Sequence, residues 1–330
     1  MKAMVITAFG KPEVFKEMTL PVPEVKPHHV LIKVVATSVN PFDCKMRQGA
    51  FADLAPTFPM VLQGDVAGVI EKIGQGVDDF VVGDAVYGCV GGLLDMGGGL
   101  AEYVLADAAL IAHKPKTLSF LEAAALPLVS ITAWEGLISY AHLQKNQDIL
   151  IHGGTGGVGH IAIQLAKSLG AKVYTSCSSA KKMQITRDLG ADVSIDYCQQ
   201  SVAAYVEEYT DNQGFDVVFD TVGGDNLPGC FAAAKLFGQV ASILAAGPVD
   251  LTPAFLKGLS LHLILQPLPL ITGKNRAHYG DILAKIATLV DEGLIRPLID
   301  ERRFMVQEVS AAHAYLEAGQ AIGKVVLMQL

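Results

Sequence analysis

At 330 residues the chain has the length of about two domains, and a 51% hydrophobic composition with mean hydropathy +0.38 supplies apolar material for two cores, which excludes disorder and coiled coil. Acidic residues outnumber basic ones 33 to 25 for a net charge of −8, and no Lys/Arg run exceeds two residues, so neither nucleic acid nor an anionic membrane is an expected partner. Five cysteines without a C-x-x-C, uncharged runs broken by Gly and Pro, and a start without a signal-peptide core predict a soluble cytoplasmic protein lacking disulfides, its lone cysteines serving as small core fillers.

In chain order, roughly the first 120 residues alternate β-rich runs with Pro and Gly turns: KAMVITA, VLIKVVATSV, AGVIEKIG, DAVYGCV and LAEYVLAD. This half reads as a twisted β barrel or sandwich with little helical period. From Asp148 the pattern changes. Six strands are predicted, at 149–152, 173–177, 193–196, 215–220, 238–244 and 261–266. Helices between them cover Val158–Leu169, Ala180–Leu189, Gln199–Tyr209, Asn226–Phe237 and a short stretch at Pro253–Leu259, three of them closing on glycine. Near-continuous apolar strands joined by helical crossovers require a parallel sheet covered on both faces, the doubly wound α/β architecture of dinucleotide-binding domains. After about residue 270, a helix (Tyr279–Glu292), a strand near Phe304, a second helix (Val309–Ala318) and the strand KVVLMQL return to complete the β-rich domain. The expected domains are therefore 1–123 with 270–330, and 124–269.

The first strand of the second domain, ILIH, runs into GGTGGVG and then a helix. That is the strand-to-helix context in which the G-x-G-x-x-G of Gly154, Gly156 and Gly159, with Gly157 and Val158 between, can cradle a pyrophosphate on a helix N-terminus. An NAD site places a carboxylate at the end of the next strand to hold the adenosine ribose. Here that place reads Cys177-Ser178-Ser179-Ala180-Lys181-Lys182, with no carboxylate to repel a 2′-phosphate and two ammonium groups to attract one. NADPH is the expected cofactor. For zinc, Cys44, Cys89, His28, His29 and His113 fall in no ligand spacing, the histidines reading as surface residues, and no metal site is predicted. No G-x-S-x-G marks a nucleophile.

Several longer segments carry a resemblance: ATSVNPFDCKMRQGAF, LQGDVAGVIEKIGQGVDDFVVGDAVYG, LAEYV, AAALPLVSITAWEGL, HGGTGGVG, FDVVFDTVGG and GKVVL. Together they resemble the zinc-free quinone oxidoreductase and alkenal/enone reductase branch of the medium-chain dehydrogenase/reductase superfamily, over the whole chain. The resemblance implies a Rossmann domain beside a β-rich GroES-like barrel, with the reacting carbonyl in the cleft between domains. Where zinc-containing relatives carry a ligand Cys this chain has Asn40, and where they carry His-Glu it has Asp65 and Val66. The resemblance further implies that Thr132 touches the nicotinamide end and that Ser178, Lys182 and Tyr197 surround the adenosine phosphate, although Tyr197 also reads as a strand-end aromatic. Lys45 and Phe51 stand where quinone and enoyl-thioester reductases show tyrosines, and N-P-x-D-x-K-x-R-x-G resembles the alkenal/enone reductases. The expected reaction is hydride delivery from NADPH to a conjugated carbonyl or a quinone. Asn40 and Lys45 are the expected catalytic donors to the carbonyl oxygen, with specificity in loops around 46–58, 91–99 and 246–275. An enoyl-thioester reductase and a crystallin-like NADPH binder with little turnover are the alternatives. The apolar sixth strand at a sheet edge predicts a homodimer.

Overall fold

The computed structural model describes residues 1–244 and 247–329; position 246, where the third expected specificity loop begins, lies outside them. The chain divides into two compact units, Met1–Leu128 with Pro267–Leu330, and Val129–Gln266. The first crossing falls after 123 because the short helix Phe120–Ala124, capped by reciprocal bonds between Ser119 and Glu122, packs on the strands His29–Val39 and Asp65–Ile73 of the first unit.

The first unit is built on a seven-stranded sheet. Its organising element is the eleven-residue strand His29–Val39. Val30, Ile32 and Val34 alternate onto one face, where they meet Val66, Ile70, Val86 and Val104 in a buried cluster. His29–Val39 pairs antiparallel with Asp65–Ile73, its first half also pairs with Tyr103–Asp107, and its last four residues pair with the C-terminal strand Val325–Met328. The chain end therefore completes this unit, and the register Val325 to Val39 sets Lys324 opposite Asn40. One helix was not legible in this β-rich stretch. Pro41–Gln48 begins at Asn40, whose backbone N–H donates to the Asp43 carboxylate at 2.7 Å, and ends at Gly49 with φ +86°.

The second unit is a six-stranded parallel sheet. Spatial order runs Val193–Asp196, Lys172–Cys177, Asp148–His152, Phe215–Asp220, Ala234–Ser242, Ser260–Leu263. Sequence order thus reverses between Asp148–His152 and Phe215–Asp220, the switch point at which such sheets bind ligands. Leu150, Val218 and Val240 from three adjacent strands share a core with Tyr174, Tyr205, Phe215 and Phe231. The expected helix Asn226–Phe237 is shorter, Leu227–Ala233, because Ala234 already pairs with Phe215 and the ladder captures the rest. Phe237, at φ +60°, donates its N–H to the Lys257 carbonyl instead of continuing a helix. The last strand is also shorter than expected, at four residues. Among the cysteines, Cys198 is exposed and is no core filler, whereas the other four are buried.

Candidate functional site

In the second unit the loop Gly153–Gly156 connects the strand Asp148–His152 to the helix Gly157–Ser168. The tight turn is made at Gly153, with φ +71°. Gly154 and Gly159 are required by close packing: a Cβ on Gly154 would stand 2.2 Å from Thr175 Oγ1, and one on Gly159 2.2 Å from the Gly153 carbonyl oxygen. Gly156 is exposed, which leaves the backbone open to a ligand. Gly157, Val158 and Gly159 begin the helix, so their N–H groups have no acceptor within it and are available to a pyrophosphate.

A second loop lies beside this one. The Thr221 hydroxyl donates to the His152 carbonyl at 2.6 Å, which ties the loop after Phe215–Asp220 to the start of the glycine loop. Asp220, fully buried, shapes it by accepting from the N–H groups of Val222 and Gly223, Asn226 Nδ2 and the Ser242 hydroxyl. Its role was missed; the only signal was an aspartate closing the apolar run FDVVFD. His152 Nδ1 lies 2.9 Å from the Ser176 hydroxyl, and burial pushes its pKa down to about 4, so the ring is neutral at pH 7.

At the end of Lys172–Cys177 the Lys182 ammonium stands 3.3 Å from the Ser178 hydroxyl. Ser179 caps the helix Ala180–Asp188, its hydroxyl accepting from the Lys182 N–H. The Tyr197 N–H donates to the Cys177 carbonyl at 3.2 Å, and its side chain is 57% exposed. Ser178, Lys182 and Tyr197 therefore belong to neighbouring strand ends. Asp196 is in register with Cys177, but one oxygen of its carboxylate accepts the Cys198 N–H. A hydroxyl and a half-buried ammonium that converge on one point fit a phosphate, so the residues present suit the 2′-phosphate of NADPH. Thr132 is buried in the helix Pro127–Trp134.

In the first unit Asn40 and Lys45 share one element. Asn40 precedes the helix Pro41–Gln48 and Lys45 lies one turn into it, partly exposed. Asn40 is buried, its Nδ2 donating to Asp65 Oδ2 at 2.8 Å and its Oδ1 accepting from the Lys324 ammonium. Asp65 Oδ2 also accepts from the Ser38 hydroxyl at 2.8 Å and from Lys324 at 3.2 Å, and Oδ1 accepts the Leu128 N–H at 2.8 Å. This donor set does not suit a metal. Asn40 and Asp65 stand where zinc-containing relatives carry ligands, yet a lysine cation already sits on both, and the carboxylate's sites are filled. Nearby Asp43 is raised to about 7, chiefly by burial and further by the Asp65 charge, against the lowering effects of the Asn40 backbone N–H, the Lys324 charge and a hydrogen bond from the Asn40 side chain. Beneath the helix, His313 contacts Cys44 and Arg47 and is pushed down to about 3 by burial and the guanidinium, while burial raises the Cys44 thiol to about 12; both are neutral and structural. His28 and His113 are exposed and His29 half-exposed, as expected of surface residues. A cavity of about 510 Å³ in this unit is lined by Lys26, Tyr103, Asp107 and Arg276 and by Asp95–Gly98 of the expected specificity loop 91–99, among others; it contains none of the expected catalytic or cofactor-binding residues, and its Arg276 is paired with Asp107 at 3.0 Å.

Comparison with known proteins places both units. Residues 26–116 match the alcohol dehydrogenase GroES-like domain family and residues 189–327 the zinc-binding dehydrogenase family. The chain is 36% identical over 334 residues to the chloroplastic NADPH-dependent alkenal/one oxidoreductase of Arabidopsis thaliana, covering 99% of this chain and 79% of the relative. It is 28% identical to the human quinone oxidoreductase, covering 99% and 98%. Among solved structures, an alcohol dehydrogenase superfamily protein from Novosphingobium aromaticivorans superposes with a TM-score of 0.94 at 37% identity, covering 99% of each chain.

Proposed function

Because the chain belongs to the quinone oxidoreductase and alkenal/enone reductase branch of the medium-chain dehydrogenase/reductase superfamily, we propose that it is an NADPH-dependent, zinc-independent reductase of conjugated carbonyls, 2-alkenals or enones, and of quinones. The observation that carries this reading is the Ser178–Lys182 pair beside the glycine loop, a phosphate-binding arrangement at the place where an NAD site has a carboxylate. When bound, NADPH supplies the hydride, delivered to the β-carbon of the substrate. The N–H groups of Gly157, Val158 and Gly159 hold its pyrophosphate, Ser178, Lys182 and Tyr197 its adenosine phosphate, and Thr132 the nicotinamide end.

As the β-carbon gains hydride, negative charge grows on the carbonyl oxygen, and donors aimed at that oxygen lower the barrier. We assign them to Asn40 Nδ2 and the Lys45 ammonium. The Lys45 carbonyl accepts the Ala50 N–H at 3.0 Å, but its ammonium has no hydrogen-bond or ion-pair partner among the described residues, so the ammonium can turn toward a substrate. Water protonates the α-carbon, which needs no acid from the protein. The test is product analysis with an enone: hydride at the β-carbon gives the saturated ketone, and an allylic alcohol would refute the assignment.

The same reading extends to assembly and location. The strand Ser260–Leu263 ends the parallel sheet, and Leu261 and Leu263 are 37% and 63% exposed. Pairing this edge with a second copy about a two-fold axis covers both edges, so the proposed form is a homodimer. The five cysteines are free, which suits a reducing compartment such as the cytoplasm. Among the described residues no helix is long and apolar enough to cross a membrane.

A further inference from the structure

The loops in which specificity is expected, 46–58, 91–99 and the stretch 267–275 that belongs to the first unit, are joined to one another within that unit. The Leu94 N–H donates to the Leu54 carbonyl at 2.7 Å, which ties the second loop to the first. The second loop is rooted at its C-terminal end: the Gly99 N–H donates to the Gln63 carbonyl at 2.7 Å, and a Cβ on Gly98 would stand 2.1 Å from the Leu62 carbonyl oxygen. Ahead of that root, residues 95–98 line the cavity of about 510 Å³ together with Tyr103 and Asp107 of the strand Tyr103–Asp107. On that side the loop faces open space instead of packed side chains. Arg276 also lines this cavity and opens the sixteen-residue helix Arg276–Asp291. Its Nη1 donates to Asp107 Oδ2 at 3.0 Å, its Nη2 to the Leu270 carbonyl at 3.0 Å and to the Met96 thioether at 3.8 Å, and its Nε to the Pro269 carbonyl at 3.4 Å.

A planar guanidinium can serve a carboxylate and two carbonyls at fixed angles at once, which an ammonium cannot. The last carbonyls of a helix as short as Leu268–Thr272 need donors from outside it, and Arg276 supplies them. One side chain thus links the second and third loops and anchors both to the sheet at Asp107. We propose that Arg276 is a positioning residue for acceptor specificity, its fork setting the spacing between the joined loops 46–58 and 91–99 and the segment 267–275. That spacing decides how well the site holds the part of the acceptor beyond its reacting atoms. This rests on the proposed reduction of conjugated carbonyls and on these loops meeting the substrate. A three-carbon enal presents little beyond the reacting atoms and is indifferent to the spacing. A long-chain enal lies against the loops and depends on it, because binding energy from the remote part of a substrate is gained only where the walls are in place.

The experiment compares kcat/KM for 2-nonenal with that for propenal, at saturating NADPH, in the wild type, Arg276→Met, Arg276→Lys and Phe51→Ala. Arg276→Met lowers the nonenal-to-propenal ratio by about 10-fold or more, chiefly through the KM for nonenal, and leaves kcat on propenal and the KM for NADPH unchanged. Arg276→Lys keeps an ion pair with Asp107 and the wild-type melting temperature, yet shows the same lowered ratio, since an ammonium cannot replace the fork. Because Arg276→Met strands the Asp107 carboxylate, the charge-balanced Arg276→Met/Asp107→Asn is measured beside it with folding checked by thermal melting. There the asparagine oxygen can still accept the Ala109 N–H that Asp107 accepts at 3.0 Å, and the ratio falls as in the single variant. A ratio unchanged or raised in the charge-balanced variant, an equal loss on both acceptors, or full recovery of the ratio by lysine overturns the positioning role. Phe51→Ala alters the first loop directly. If it shifts the ratio and Arg276→Met does not, the role of Arg276 alone fails; if neither shifts it, the loops do not meet the substrate and the proposal falls with that placement. Absence of NADPH oxidation by either acceptor in the wild type refutes the reduction of enals itself, and the role of Arg276 with it.

Discussion

Replacing Lys182 with alanine separates NADPH from NADH at one atom. Its ammonium stands 3.3 Å from the Ser178 hydroxyl at the end of the second strand of the nucleotide-binding sheet, so a phosphate oxygen between them gains two charge-assisted hydrogen bonds, one from a cation and one from an uncharged hydroxyl. A charge-assisted bond contributes about 1.5 to 3 kcal/mol, or roughly 10- to 150-fold in affinity. Partial exposure of Lys182 places the expected loss toward the lower end, since water screens the pair. NADPH fluorescence titration should show Lys182→Ala binding NADPH at least about 10-fold more weakly, with NADH affinity nearly unchanged, because NADH has an uncharged hydroxyl in place of the phosphate. Ser178→Ala should cost less than Lys182→Ala, because the lost donor carries no charge of its own, and Ser178→Asp should reverse the preference by setting a carboxylate against the phosphate. Raising the salt should shrink the Lys182 effect and leave that of Ser178 nearly unchanged. A wild type that binds NADH as tightly as NADPH, or a Lys182→Ala that weakens both equally, would refute the assignment.

Other consequences are as direct. With Asn40 and Asp65 occupied by Lys324, the purified protein should carry well under one zinc per chain and keep full activity in a chelator; a stoichiometric metal that tracks activity is the opposing result. Light scattering should give twice the 34.9 kDa chain mass, and Leu263→Pro, which removes an edge donor, should weaken the dimer; a monomer at micromolar concentration contradicts the paired edge. Lys45→Ala should lower kcat on an enone by about 100-fold with less change in KM, and a quinone, which spreads charge over two oxygens, should lose less. Asp43, raised to about 7 in the folded protein, holds a proton that the unfolded chain releases near the ordinary aspartate value of 3.8. Its contribution is therefore full below that value and is lost as pH rises through about 7. Denaturant melts of wild type and Asp43→Asn, compared pairwise so that His152 and His313 cancel, should show the wild type losing up to ~1.4 kcal/mol per pH unit relative to the variant between pH 5 and 7, and no more above it; a constant difference shows that Asp43 is ionised throughout.

Much of the nucleotide-binding unit was legible because its information is local. Strands such as Val193–Asp196 and Phe215–Asp220 are short β-rich runs in the sequence, and they form with the expected bounds. The glycine loop has its full context within one strand, one turn and one helix. What escaped depends on distant parts of the chain. Lys324 and Asp65 are separated by 259 positions, and only the pairing of Val325 with Val39 joins them. A lysine inside the apolar run GKVVLM was a visible anomaly, since a buried cation must have a partner, but the partner was not visible. Helix Pro41–Gln48 was obscured by its length of eight residues, too short for a clear period. Its Asn-Pro-x-Asp start was nonetheless a capping signal. At Ala234 a helical pattern gave way to strand because the ladder to Phe215 outweighs local propensity.

The central claim, that this chain turns over a conjugated carbonyl with NADPH and does not merely bind the nucleotide, is tested most directly by NADPH oxidation with a panel of enals, enones, quinones and an enoyl thioester. The structure-based account predicts oxidation that depends on NADPH and saturates with at least one enal or enone, slower use of the thioester, and loss of rate in Asn40→Ala. Saturable NADPH binding with no oxidation by any acceptor would contradict it and mark the chain as a nucleotide-binding protein without turnover.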